Sequence, residues 1–183
     1  GAEGVDMLAR RSEPELGGAD LDSRIAEWVA ERVQAQSGVD LRKEPASMRR
    51  LAKVGEEVRI TLSSRESEQM NLPFLSMGPK GPVSVAEVLT RSTLEGLVRD
   101  FVERLLAHAR ALAGDVALAG RPVDQLLLVG GVTRMPLLRR ELEAAFGQPA
   151  TEAFDDVGAI ARGTALLGGD ASASGKRPRK RKA

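Results

Sequence analysis

Four large aliphatic residues, Leu126–Val129, run straight into Gly130–Gly131, and no other stretch restricts the possible folds as much. A short apolar run of this kind suits a strand buried on both faces of a parallel sheet. The glycines stop it, Thr133 is placed to cap a helix, and Pro136 falls in that helix's first turn, where its missing N–H costs nothing. Strand, glycine turn and helix start then leave free N–H groups and the positive end of a helix dipole at the carboxyl edge of a sheet. α/β proteins commonly hold phosphorylated or nucleotide ligands at such an edge. Glycine also lets a flat ligand lie directly on the backbone. An ordinary tight turn has the same pattern, so the pair by itself leaves both readings open.

Composition narrows the chemistry. The 183 residues include no Cys and one His, which excludes disulfides and thiolate catalysis and removes the usual zinc ligand sets. With four Phe, one Trp and no Tyr, the core must be built from Leu, Val, Ile and Ala. The sequence has neither an apolar run long enough for a bilayer nor an N-terminal signal pattern, and the expectation is a cytoplasmic protein with no membrane partner. Charge is segregated. Lys176–Lys182 holds six basic residues in seven, and without those six the chain has 21 basic and 26 acidic residues, a balance of −5. Residues 171–183 have almost no apolar content and are expected to form a disordered basic tail.

Read in order, Met7–Arg10 suits a short strand. Asp20 is the expected N-cap of a helix bearing Leu21, Ile25, Trp28, Val29 and Val33, closed at Ser37–Gly38. Pro45 opens a second helix with an apolar stripe of Met48, Leu51, Val54, Val58 and Leu62. Gly55 inside it costs about 1 kcal/mol against Ala, so it signals either tolerance or a close approach. Residues 65–89 read as two antiparallel strands around a Gly/Pro turn at Met77–Pro82. Thr90 then caps a helix whose apolar face runs from Leu94 to Leu112 without interruption. His108 near its end reads as a surface or dipole-compensating residue. After the glycine pair, Leu137–Phe146 forms an amphipathic helix closed by Gly147. Asp155 or Asp156 caps a last helix whose Ala159, Ile160, Gly163, Thr164 and Leu167 suggest tight packing on a sheet.

Five collinear segments carry a resemblance: LGGADLDSRI, GVDLRKEPASMRRLAKVGEEVRITLSS, QMNLPF, LTRSTLEGLVRDFVERLL and LLLVGGVTRMPLLRREL. Together they resemble the seventy-kilodalton heat-shock chaperone family, DnaK type, over roughly Val5 to Gly169. The resemblance implies an α/β fold, namely lobe II of an actin-like, ribonuclease-H-like ATPase domain. It implies a sheet-based subdomain from residues 1–25 and 90–170, with a helix-plus-strands cap subdomain, 26–89, inserted. It also implies a role in protein folding, with ATP or ADP as ligand, Mg²⁺ arriving with the nucleotide, and lobe I and a co-chaperone as partners.

By the same resemblance, Glu56 stands where a carboxylate bonds the ribose hydroxyls and Arg59 where a ribose-binding Lys stands. Ile60 falls at a position packing on the adenine face and Ser63 where a hydroxyl meets the adenine edge. Their spacing of i, i+3, i+4 and i+7 places all four on one helix face. Gly130 and Gly131 fall near the phosphates and sugar, and Arg134 would stack on the other adenine face. Taken singly, Glu56 and Arg59 read equally as a solvated ion pair, Ser63 as a helix-end hydroxyl and Arg134 as a surface cation.

The chain also departs from the family pattern. Counterparts of lobe I, its phosphate loops and its catalytic Lys and Glu do not occur upstream of Val5. Where the family usually carries Pro-Asp-Glu-Ala, Asp156-Val157-Gly158-Ala159 stands. Phosphoryl transfer needs positioned phosphate, Mg²⁺ and water. The expectation is a lobe that binds adenine nucleotide weakly, with no catalytic residue of its own and no hydrolysis alone. The alternative is a non-catalytic interaction module whose basic tail binds nucleic acid or an acidic protein by counterion release.

Overall fold

The computed structural model describes residues 8–114, 123–151, 158–159 and 161–165. The first long helix, α1 (Gly18–Ser37), begins one turn earlier than expected. Gly17 is the N-cap, and Asp20, three residues on, accepts the Gly17 N–H at 2.8 Å. The carboxylate therefore caps from inside the first turn, where the dipole also favours it. Gly38 ends the helix in the left-handed region at φ 76°.

A 3₁₀ turn at Leu41–Lys43 leads to α2 (Pro45–Leu62), with Pro45 in its first turn. α1 and α2 pack on each other, and Gly55 marks their closest approach. A Cβ there would stand 3.1 Å from the Asp22 carbonyl oxygen and 3.3 Å from the Ile25 Cβ. Of the readings left open for Gly55, close approach holds. Leu51, Val58 and Leu62 of the expected stripe are buried.

β1 (Ser67–Gly78) and β2 (Gly81–Thr90) form an antiparallel hairpin beside α2 and α1. Its register runs from Ser67 opposite Thr90 to Gly78 opposite Gly81, interrupted between Leu72 and Ser76. Three residues there face only Ser84, and Phe74, at φ 51° and 74% exposed, forms the crest of the bulge. Arg50 of α2 steadies it by donating to the Phe74 carbonyl at 3.0 Å and the Pro73 carbonyl at 3.2 Å.

Thr90 caps the next helix as expected, accepting the Thr93 N–H at 3.1 Å. The single long helix does not form. α3 (Arg91–Leu97) and α4 (Arg99–Ala113) are separated by Val98, whose ψ of 9° unwinds the turn. The apolar positions keep their spacing through the break, because Val98 is itself fully buried. α3 lies against β2 and α1, whereas α4 lies against α5 (Pro136–Phe146), which Gly147 closes at φ 66°.

The expected buried parallel strand at Leu126–Val129 is corrected as well. Its only ladder contact among the described residues is a parallel bridge from Leu126 to Ala150, and Leu127 and Val129 are 48% and 38% exposed. A strand is buried on both faces only when neighbours lie on both edges and layers cover it, and here one bridge takes the place of that sheet. Leu8–Arg10 have no regular structure. Ala159 and residues 161–165 are helical, and among the described residues nothing lies within 4 Å of a Cβ built on Gly163, so the tight packing expected there is not seen among them. Ile160, Leu167, the Asp155–Asp156 cap and the basic tail fall outside the described residues. α1 passes through Ile25 and Ala26 without a break, so the proposed subdomain boundary lies inside a continuous helix.

The core is contiguous: Leu21, Ile25 and Val29 of α1, Leu51 and Leu62 of α2, Met70 and Leu89 of the hairpin, Phe101 of α4, and Leu137 and Leu138 of α5. Among the described residues no helix is long and apolar enough to cross a membrane.

Candidate functional site

The C-terminal half of α2 presents three kinds of surface. Val58 and Leu62 face the core. Glu56 and Ile60 face solvent, Ile60 with 54% of its surface open. Between these faces, Arg59 is buried. Helix periodicity alone accounts for the exposed pair four residues apart.

The burial of Arg59 has a specific cause. Its Nε donates to Asp22 Oδ1 at 2.6 Å and its Nη2 to Oδ2 at 3.3 Å, with side-chain exposures of 5% for Arg59 and 10% for Asp22. A planar guanidinium matches a carboxylate through two such bonds, which Lys cannot do. The side chain expected to reach a sugar is therefore turned toward α1. The sequence reading missed Asp22 because no local pattern marks it: it lies between Leu21 and Ile25 on a helix with many other charged residues. Ser63 is half-buried, and its hydroxyl donates to the Arg59 carbonyl at 3.3 Å.

The second wall begins at Gly130, whose φ of 101° suits glycine. Residues Gly131–Arg134 form a 3₁₀ turn rather than the start of a helix. Thr133 does not cap α5. Its hydroxyl donates back to the Gly130 carbonyl at 2.6 Å, and Met135 is the N-cap residue. The turn closes on itself because Pro136, already supplying the first helical residue, leaves Thr133 two positions too early to cap. Among the described residues nothing lies within 4 Å of a Cβ built on Gly130 or Gly131. Arg134 is exposed. α5 is held from behind by Glu143, which accepts the Ala150 N–H at 2.9 Å and Arg139 Nε at 3.0 Å. These two donors hold the Glu143 carboxyl below its usual range, the backbone N–H acting most.

The two walls meet. Arg59, Leu62 and Ser63 share a narrow cleft with Met135, Pro136 and Leu137, the residues that follow Arg134. Its volume of about 10 Å³ admits roughly one water. A cleft of this size holds no nucleoside, and Glu56, Ile60 and Arg134 are exposed and do not line it. Deeper in, a Cβ on Gly18 would be 3.3 Å from both Arg59 Nη2 and Val132 Cγ2, so the head of Arg59 and the glycine turn converge on the start of α1. Among the described residues no group of His, Cys, Asp and Glu has the arrangement of a metal site.

Comparison with known sequences gives two findings. The family description Hsp70 protein matches residues 3–177. The chaperone protein DnaK of Thermosipho africanus (strain TCF52B) is 34% identical over 176 residues, covering 94% of this chain and 29% of that protein. The chain thus spans less than a third of the length of that relative.

Proposed function

Because the chain belongs to the Hsp70 family of chaperones, we propose that it supplies the adenosine-binding lobe, lobe II, of the family's actin-like ATPase fold. The main support is the juxtaposition of the Arg59–Ser63 end of α2 with the segment that follows the Gly130–Gly131 bend. On this reading Glu56 accepts from the ribose hydroxyls, Ile60 covers one face of the base and Ser63 meets its edge. Arg134 stacks on the other face, where a guanidinium over an aromatic plane is favourable. Gly130 and Gly131 offer backbone N–H groups to the sugar and phosphates. Arg59 lies behind this face rather than in it. Mg²⁺ is carried by the nucleotide, the protein acts in the cytoplasm, and the lobe alone binds without turnover.

Calorimetric titration of the purified chain with Mg·ADP tests the proposal. Saturable binding that is weakened about tenfold or more by Glu56→Ala, roughly the value of one lost charge-assisted hydrogen bond, is the expected result. No saturable binding at millimolar nucleotide, or binding indifferent to both Glu56→Ala and Arg134→Ala, overturns it.

A further inference from the structure

We infer that Asp22 is a positioning residue for the nucleoside site: through Arg59 it sets the separation of the two walls. The inference rests on the nucleotide reading above for its functional consequence, but its geometric part stands separately. Asp22 is on α1, Arg59 on α2, and their paired contacts of 2.6 and 3.3 Å are buried. A bidentate pair fixes both the distance and the rotation of the guanidinium. The Nη2 end of that guanidinium and Val132 of the glycine turn both lie 3.3 Å from where a Gly18 Cβ would stand. Gly18 therefore leaves a slot into which the Arg59 head and Val132 both fit. The Asp22 carbonyl oxygen also stands 3.1 Å from where a Gly55 Cβ would be, so α1 and α2 are close at the same residue.

Three elements thus converge on one ion pair: the first turn of α1, the last turns of α2, and the bend bearing Gly130–Arg134. Neither Asp22 nor Arg59 needs to touch the ligand. If the carboxylate is removed, the guanidinium loses both acceptors while remaining in a buried slot, and it must swing out. Arg59 also lines the cleft that Ser63 lines, and a swing that way vacates the Gly18 slot its head shares with Val132. That movement displaces Val132, and with it the wall on which Arg134 is carried.

The absence of Cys in the chain makes the geometric part directly measurable. Spin labels on Lys53→Cys in α2 and Arg140→Cys in α5, both exposed positions, report the wall separation by pulsed dipolar spectroscopy. The parent should give one narrow distance distribution, and Asp22→Asn a distribution broadened or shifted by several ångströms. The double variant Asp22→Leu/Arg59→Met, which fills the corner with apolar groups and keeps the fold, should also differ from the parent. An unchanged distribution in a folded Asp22→Asn or double variant overturns the inference, whatever the chain binds.

The functional part is read as a ratio. The affinity for Mg·ADP relative to Mg·CDP does not depend on the fraction of folded protein. The parent should prefer the purine, and Asp22→Asn or the double variant should lose most of that preference. A preserved ratio contradicts the positioning role. Failure of the parent to bind either nucleotide contradicts the nucleotide reading instead, and the label distances still decide whether the pair sets the walls.

Discussion

The Asp22 carbonyl oxygen leaves Gly55 no room for a side chain: a Cβ on the glycine would be 3.1 Å from it. Substituting Gly55 therefore sets two effects against each other. Alanine gains about 1 kcal/mol of helix propensity, but crowding a packed contact costs about 1–3 kcal/mol. A carbonyl oxygen on a neighbouring helix cannot rotate away as a side chain can, so the loss should win. Gly55→Ala should lower stability by about 1 kcal/mol and Gly55→Val by more than about 2 kcal/mol. Urea denaturation checks this. A Gly55→Ala protein as stable as the parent would mean that the crowding costs no more than the helix propensity gained.

Breaking the Asp22–Arg59 pair should cost far more than an exposed pair of similar length. With both partners buried, Asp22→Ala leaves an uncompensated guanidinium, and the expected loss is about 3–5 kcal/mol. The double variant Asp22→Leu/Arg59→Met should recover most of it, since apolar replacement of a whole buried pair is often neutral. The exposed Arg65–Glu68 pair serves as control, and Glu68→Ala should cost less than about 1 kcal/mol. Denaturant midpoints of these variants decide the ranking.

Acid should weaken the corner between α2 and the hairpin through Glu44. The Ser76 hydroxyl, at 2.6 Å, and the Ser47 hydroxyl, at 2.8 Å, both donate to its carboxylate and hold the carboxyl below its usual 4.5. A carboxyl depressed on folding contributes stability that is complete above the unfolded value and is lost as pH falls through the folded one. The contribution should therefore disappear as pH falls below about 4.5, from the unfolded value downward. Asp100, lowered chiefly by its hydrogen bonds from Arg24, should act in the same direction starting near 3.8. Glu44→Gln should flatten the acid limb of a stability–pH curve, and an unchanged limb would assign acid sensitivity to other groups.

Thr90 joins the hairpin to α3 through a single cap. Thr90→Ala removes the acceptor for the Thr93 N–H and should cost about 1 kcal/mol, with Thr90→Asp losing much less. A thermal-melting series on the two variants is sufficient.

Local signals in the sequence were read correctly where the chemistry is local. Gly38 and Gly147 close helices because only glycine takes their φ without cost, Thr90 caps because its hydroxyl reaches the third residue on, and Pro45 opens α2. The hairpin was legible from alternation and its Gly/Pro turn, but the bulge was not, since nothing in Leu72–Ser76 departs from a regular strand except Pro73. The break at Val98 was hidden because a buried valine continues the apolar stripe. Leu126–Val129 misled for a related reason: four aliphatics report a preference for burial, not whether neighbouring strands exist to provide it. At the site, helix spacing puts Glu56, Arg59, Ile60 and Ser63 on one face, but only Glu56 and Ile60 are exposed, Ser63 is half-buried and Arg59 is buried. The inward turn of Arg59 depends on Asp22, 37 residues away, and no periodicity carries that information.

The split at Val98 determines how the rest of the chain is anchored. An unbroken helix from Arg91 to Ala113 would be a rod of about 35 Å with a single direction. Instead the chain has an elbow, with one short arm wedged against the hairpin and the longer arm braced by α5. A proline placed there, as in Val98→Pro, would remove the N–H that bonds the Leu94 carbonyl at 3.1 Å and loosen the two arms from each other while leaving each of them helical.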